Sequence, residues 1–591
     1  MRAGVYSLND QIQSTFTFLK SAKNLSEARN RDIEITYSGS DSEVLGYLTP
    51  VGSFHADDNS LIDTLSNWRE ANKNFYPTRF EVTTSGTANW LHNEIINNPN
   101  RLMFILSDRH GHSISYIGIS ILKDYVCEIE SVTQIDSTNS KLINSAINKI
   151  EKFIYDELGF EVIQTRVLKS NSNNVENYLQ NNYLVVNEVP LKKIGSETDF
   201  KLIESNEDIF DYYVLLEKNL VDSLPLSDQI LTAGPSISSR ELSYVSEATK
   251  YGWNNKHSDF LTKFQHDFAD YVGAEFALAT SSCTGALHLA LLALGIGPGD
   301  EVIVPEVTWV ATASAVRYVG ATPVFADIDS ETWCIDPKSI EQKISQKTKA
   351  IMPVHLYGFG AQMTTISEIA EAHDLRIVED AAPAIGTLID GKPAGSFGDF
   401  GAYSFQGAKM LVTGEGGMLV TSNQELFERA RKIQDHGRRP GTFWIEELGY
   451  KYKMNNITAA LGLAQLERSE RQIEQKRRIA DWYKDFLGAN SELTMQVEKP
   501  NTRSIHWMNS ITLNENLPIS RDEMMEKLKA EGIDTRPVFP AISQYPMWDK
   551  KHVPGEVATR IGAQSINLPS GVKLSKKSVA KVCEVINSLI G

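Results

Sequence analysis

The chain has 591 residues, of which 41% are hydrophobic and 23% charged, and it carries a formal net charge of −17 at pH 7. That length exceeds the roughly 250–300 residues at which one hydrophobic core stops growing, so two or three globular domains are expected. The acidic balance disfavours a general role on nucleic acid or an anionic membrane, and the scattered cysteines Cys127, Cys283, Cys334 and Cys583 lack metal-ligand spacing, which excludes a structural zinc and suits a reducing compartment.

No apolar core follows Met1 and Arg2, and no run approaches the roughly 18 apolar residues of a bilayer span, so a cytoplasmic protein is expected. From Ile33 to Ile203 the text is rich in Asn, Ser, Glu and Ile. Arg101 to Leu106 and Ser115 to Ile119, with a polar turn at Asp108 to Gly111, predict an antiparallel hairpin. A helix-period run from Lys141 to Leu158 leads to a strand at Glu161 to Leu168, then to Asn171-Ser-Asn-Asn-Val-Glu-Asn-Tyr178 and Tyr183. Across residues 35–195 this resembles the GNAT N-acetyltransferases, whose final motif pairs an Asn with a Tyr and a following aromatic. The resemblance implies an α+β domain over residues 1–204, with acetyl-CoA as cofactor and Tyr178 as general acid in an active member. Where that family's pyrophosphate loop has glycines, this chain has Gln134-Ile-Asp-Ser137-Thr-Asn139, so a degenerate scaffold with a packed Tyr178 is the competing reading. The acidic, Leu-rich residues 205–228 predict a helical linker.

Beyond it, over residues 229–591, apolar runs at Glu301 to Pro305, Pro323 to Ala326, Ala350 to Val354, Arg376 to Val378, Gly401 to Phe405 and Met418 to Thr421 alternate with helix-period segments. That alternation predicts an α/β domain with a parallel sheet covered by helices on both faces. Functional residues are expected just after the strands, where loops converge.

Three segments carry chemistry. Ala279-Thr-Ser-Ser-Cys-Thr-Gly-Ala leads from a strand into a helix whose first turn holds Ser282, Cys283 and Thr284, a candidate phosphate cradle because helix N-termini present backbone N–H groups. Gly295-Ile-Gly-Pro-Gly299 follows a helix and precedes a strand, the wrong order for a dinucleotide fingerprint, and reads as a turn. Leu375-Arg-Ile-Val-Glu-Asp380-Ala-Ala ends an apolar strand in a carboxylate; taken alone, Asp380 also reads as a helix N-cap. Gly401-Ala-Tyr-Ser-Phe-Gln-Gly-Ala-Lys409 places a lysine between a buried strand and a glycine-dense loop, where desolvation would make its amine nucleophilic, the alternative being a solvated loop lysine.

Together with Gly252-Trp253, Pro305-Glu-Val-Thr-Trp309, Val354-His-Leu-Tyr-Gly358, Gly449-Tyr-Lys-Tyr-Lys-Met454 and Ile566-Asn-Leu-Pro-Ser570, these segments resemble, in order, the DegT/DnrJ/EryC1 sugar aminotransferases. The resemblance implies the aspartate-aminotransferase-like fold type I with a small C-terminal subdomain, and pyridoxal 5'-phosphate as cofactor. It implies that Lys409 holds that cofactor as a Schiff base, that Asp380 faces the pyridine nitrogen, and that Trp309 stacks on the ring rather than packing in the core. Ser404 and the turn of Ser282, Cys283 and Thr284 would bind the phosphate, with Lys451 reaching the phosphate of the neighbouring subunit of a homodimer. Three departures stand out: Cys283 replaces a usual glycine, Pro383 a usual Gln or Glu, removing one side-chain contact to the cofactor, and Lys451 stands where many members carry Asn, keeping a cation there. Family dehydratases have histidine where this chain has Lys409, so transamination is implied.

The wording around Gly407 and Thr413-Gly-Glu-Gly-Gly-Met418 looks most like enzymes that aminate C4 of a nucleotide-linked 4-keto-6-deoxyhexose with L-glutamate as donor, for surface polysaccharide or lipopolysaccharide. The alternatives are an 8-amino-3,8-dideoxy-octulosonate transaminase, a bifunctional aminotransferase and N-acetyltransferase, and a non-catalytic cofactor-binding regulatory or scaffold protein. His436-Gly-Arg-Arg-Pro-Gly-Thr-Phe-Trp444 reads equally as a sugar-facing segment and as a solvated loop.

Overall fold

The computed structural model describes residues 8–37, 40–76, 78–79, 81–123, 126–130, 140–160, 162–196, 200–205, 207–220, 229–439, 441–548 and 552–590. Contacts divide the chain into two compact units, one of Ser7–Leu224 with Ser238–Ser243, the other of Pro225–Ile237 with Tyr244–Gly591. Among the described residues no helix is long and apolar enough to cross a membrane.

The N-terminal unit is built on a ten-stranded sheet. Across the sheet lie Ile33–Tyr37, Ser40–Pro50, Arg101–Asp108, Ser113–Lys123, Val126–Glu130, Val162–Leu168, Ile209–Asn219, Leu184–Gly195, Phe200–Glu204 and Thr78–Arg79. The expected hairpin is present, with Ile105 opposite Tyr116. All neighbours are antiparallel except Val126–Glu130 and Val162–Leu168, whose parallel pairing needs a crossover. Helix Ser140–Phe153 supplies it. Residues 209–219 do not form part of the expected helical linker: Ile209–Asn219 is a strand inserted between Val162–Leu168 and Leu184–Gly195, and residues 221–228 lie outside the described residues. Its text explains the difference, because Val214, Leu216 and Lys218 are buried in alternation, a period of two that helical reading overlooks.

The second unit has a seven-stranded sheet ordered Phe276–Thr280, Gly417–Thr421, Phe400–Ser404, Arg376–Asp380, Thr348–Ile351, Glu301–Pro305, Thr322–Ala326. Phe400–Ser404 and Gly417–Thr421 are buried throughout, as strands covered on both faces must be. The five strands from Phe400–Ser404 to Thr322–Ala326 pair in parallel as expected. The two at the other edge do not: Gly417–Thr421 runs antiparallel to Phe400–Ser404, and Phe276–Thr280 antiparallel to it in turn. No crossover helix separates Ser404 from Gly417, so the chain can only fold straight back. Gly295 and Gly299, both at positive φ, form the turn between helix Cys283–Ala293 and strand Glu301–Pro305. A four-stranded antiparallel sheet of Leu493–Met495, Asn509–Leu513, Ser565–Leu568 and Arg536–Pro537 forms the C-terminal subdomain with helices Arg521–Ala530 and Lys576–Ile590.

Candidate active site

The fold-back between Phe400–Ser404 and Gly417–Thr421 is the loop that carries Lys409. Lys409 N–H donates to Gln406 O at 2.8 Å and Gly407 N–H to Gly414 O at 2.9 Å. The indole N–H of Trp507, from the C-terminal subdomain, donates to Ala408 O at 2.8 Å, so the loop is pinned from outside. Lys409 Nζ stands 3.8 Å from the centre of the Trp507 ring, within cation–π range. Burial pulls the Lys409 amine down to about 8, against the opposing pull of the Asp380 carboxylate. This is not a solvated lysine.

Asp380 ends strand Arg376–Asp380 and is buried. Its Oδ2 accepts from Thr312 Oγ1 at 2.7 Å and its Oδ1 from the Ala382 N–H at 3.1 Å. Desolvation pushes its pKa up, while Thr312, the Ala382 amide and the Lys409 charge pull it back. Burial thus drives both members of the Lys409–Asp380 pair towards neutrality, and each charge favours the other. The N-cap alternative fails, because a turn and not a helix follows Asp380.

Behind the carboxylate lies a buried network that the sequence reading missed. The Thr308 and Thr312 hydroxyls are 3.0 Å apart, one helical turn from each other, so Thr312 can accept from Thr308 while donating to Asp380. His355 Nδ1 accepts from the Ala361 N–H at 3.2 Å, which leaves Nε2 to donate to Glu379 at 3.0 Å. Glu379 also accepts from the amides of Gly395, Phe397 and Gly398, so the residue before Asp380 is held by four donors. The hydroxyl spacing of Thr308 and Thr312 was the available signal. Trp507 gave none, since only tertiary packing brings the C-terminal subdomain to this loop.

The candidate phosphate cradle lies where strand Phe276–Thr280 meets helix Cys283–Ala293. Ser282 is the N-cap, its Oγ accepting from the Gly285 N–H at 3.1 Å. Cys283 is buried, and burial together with the Asp380 charge pushes its thiol well up, keeping it uncharged. Gly417 makes the approach possible: a Cβ there would lie 2.5 Å from Cys283 N. Since Ser404 pairs with Gly417, its buried side chain is brought to the same corner, with its Oγ 3.4 Å from the Gln406 amide. Lys409 and Cys283 sense each other electrostatically, so Lys409, Asp380 and the 282–284 turn form one cluster.

Two residues stand apart from it. Trp309 is 59% exposed with Phe539 as its ring neighbour at 5.8 Å, so it is available to a ligand and is no core residue. Lys451 ion-pairs with Asp435 at 3.0 Å on an exposed surface. In the segment from His436, Arg438 and Arg439 pair with Asp435 and Glu446, whereas Phe443 and Trp444 are exposed. In the N-terminal unit Tyr178 is packed edge-on against Tyr183 at 5.0 Å and buried, a packing role; residues 134–139 lie outside the described residues.

Comparison with known proteins agrees with this geometry. Residues 235–587 match the model of the DegT/DnrJ/EryC1/StrS aminotransferase family. The chain is 42% identical over 354 residues to a GDP-perosamine synthase of Escherichia coli O157:H7, covering 60% of this chain and 96% of that protein. It is 39% identical over 370 residues to a GDP-perosamine synthase of Caulobacter vibrioides, covering 61% and 98%. Among solved structures, a DegT DnrJ EryC1 StrS aminotransferase from Brucella abortus superposes with a TM-score of 0.56 at 30% identity, over 60% of this chain and 95% of that one. A desolvated lysine beside a buried aspartate, at the mouth of a helix N-terminus on this sheet, therefore belongs to a pyridoxal-phosphate-dependent enzyme, and the chain is a member of the DegT/DnrJ/EryC1/StrS aminotransferase family.

Proposed function

We propose that this protein aminates C4 of a nucleotide-linked 4-keto-6-deoxyhexose, with L-glutamate as nitrogen donor, as a homodimer. The observation that carries the transamination is the buried Lys409–Asp380 pair. The choice of sugar is supported by the two relatives named GDP-perosamine synthase and by the wording of the Lys409 loop.

The residues present fit pyridoxal phosphate. A buried carboxylate that among the described residues accepts from Thr312 and Ala382 has capacity for a cation, and a helix N-terminus stands in the same cluster as the lysine. When bound, the cofactor supplies an aldehyde that joins to amines and a ring that holds the electron pair left by a departing proton. Asp380 would keep the ring nitrogen protonated, and Thr312 holds Asp380 in place. Ser404 and the amides of the 282–284 turn would orient the phosphate, and the exposed face of Trp309 would cover the ring. Lys409, near half-protonated around pH 8, can both take a proton from the donor carbon and return one, which is the requirement for a general acid–base. Lys451 would act across the dimer interface.

The test is to supply the purified enzyme with L-glutamate and a GDP-linked 4-keto-6-deoxyhexose and to follow 2-oxoglutarate and the 4-amino sugar by mass spectrometry. Both should appear with wild type and neither with Lys409→Ala. Amination of an 8-oxo-octulosonate supplied in its place, with the GDP-linked sugar left unchanged, would move the substrate, and failure of glutamate to donate to any keto sugar would defeat the reading.

A further inference from the structure

The N-terminal unit contains a cavity of about 520 Å³ between strand Ser40–Pro50, helix Asn59–Ala71, strand Arg101–Asp108 and the turn that follows it. Its wall is polar: Tyr47, Thr49, Ser60, Thr64, Ser107 and Ser113 bring hydroxyl groups to it. Asp32, Asp58, His55 and His110 line the same space, with the guanidinium-bearing Arg29 and Arg109. Neither Lys409 nor any residue of its cluster takes part.

Two features of this wall point to a ligand. The Asp32 carboxylate is hydrogen-bonded by the Thr49 hydroxyl, yet its Oδ1 is buried and has no hydrogen-bond partner among the described residues, and burial pushes its pKa up to about 6. A buried, unmet carboxylate oxygen is costly, so such a group needs a reason to persist. His55 is held neutral, its pKa pulled down to about 4 by burial, with Nδ1 accepting from the Gly52 N–H, so its Nε2 carries the hydrogen as a donor. The wall therefore combines two carboxylates, of which Asp58 already caps helix Asn59–Ala71 by accepting from the Leu61 N–H, with a neutral imidazole donor at His55, hydroxyls that both give and accept, and two guanidiniums. Hydroxyls and an imidazole suit a polyol, a desolvated carboxylate suits a primary ammonium, and guanidiniums suit a phosphate.

We propose that this cavity binds a phosphorylated amino sugar, with the sugar amine against Asp32, the ring hydroxyls along the hydroxyl-bearing wall and the phosphate against Arg29 and Arg109. The assignment stands on the cavity alone and does not require the aminotransferase substrate to be as proposed above.

Calorimetric titration of the full-length, cofactor-loaded protein with D-glucosamine 6-phosphate tests it, with D-glucose 6-phosphate as the comparison that lacks only the amine. The amino sugar should bind at least about tenfold more tightly than glucose 6-phosphate, the difference expected for one charge-assisted hydrogen bond. Asp32→Asn should remove that preference, and Arg109→Ala, a change at an exposed site, should weaken both ligands about tenfold. Transaminase activity should stay unchanged in both variants. Absence of binding, equal binding of the two sugars, or an amine preference that survives in Asp32→Asn would each overturn the proposal. Heat that disappears only in Lys409→Ala would place the ligand in the aminotransferase site and overturn it as well.

Discussion

A lysine amine with its pKa drawn to about 8 has a specific pH signature. The lowered value means that the neutral, nucleophilic amine is scarce below pH 8 and predominant above it. Capture of pyridoxal phosphate by the cofactor-free protein should therefore accelerate about tenfold per pH unit up to about pH 8 and level off beyond. Stopped-flow absorbance reads this directly, and a rate still climbing steeply at pH 10 would mean an ordinary, solvated amine. At Asp380 the charge itself is what matters, so Asp380→Asn should lower kcat/KM by on the order of 10²-fold or more while the protein stays folded. Thr312→Val leaves Oδ2 of a buried carboxylate without its donor, and a loss of about 1–3 kcal/mol in cofactor affinity is expected. Unchanged affinity would show that Ala382 alone positions the carboxylate. Lys409 and Asp380 stood out in the sequence because each ends or follows an apolar strand, but their roles came only from the resemblance to the DegT/DnrJ/EryC1 family. Thr312, His355, Glu379 and Trp507 did not, since their roles come from contacts that the order of residues does not reveal.

Among the elements, the fold-back from Phe400–Ser404 to Gly417–Thr421 decides the site. It works because Gly417 has no side chain where the strand presses on the first turn of helix Cys283–Ala293. A methyl group there meets Cys283 N at 2.5 Å, an atom of the helix backbone that cannot swing aside. Gly417→Ala should cost about 1–3 kcal/mol of stability by overpacking and loosen phosphate binding with it. Thermal unfolding with and without pyridoxal phosphate would show both effects, and a variant as stable and as tightly loaded as wild type would refute the close-approach argument. The central strands were readable from their unbroken apolar runs, whereas the reversed direction of Gly417–Thr421 was not, because direction depends on what connects strands rather than on their composition. Ile209–Asn219 was misread as helical for a different reason: its Leu-rich, acidic composition masked the alternation that inserts it into the N-terminal sheet.

Across the whole molecule, the aminotransferase unit was readable in its central strands and its motif segments, whereas the N-terminal unit spoke mainly through its hairpin, helix and strand. The proposed dimer can be tested without a structure of it. If Lys451 serves the partner's site, mixing Lys409→Ala with Lys451→Ala subunits should restore activity in mixed dimers that neither variant has alone, up to one working site per mixed pair. Were Lys451 to act within its own subunit, no mixture would recover activity. Everything nonetheless depends on where the cofactor is attached, and one measurement addresses that most directly: borohydride reduction of the purified protein followed by peptide mapping. The account predicts a single phosphopyridoxyl group on Lys409; a group on Lys451, Lys453 or any other lysine, with Lys409 unmodified, would contradict it.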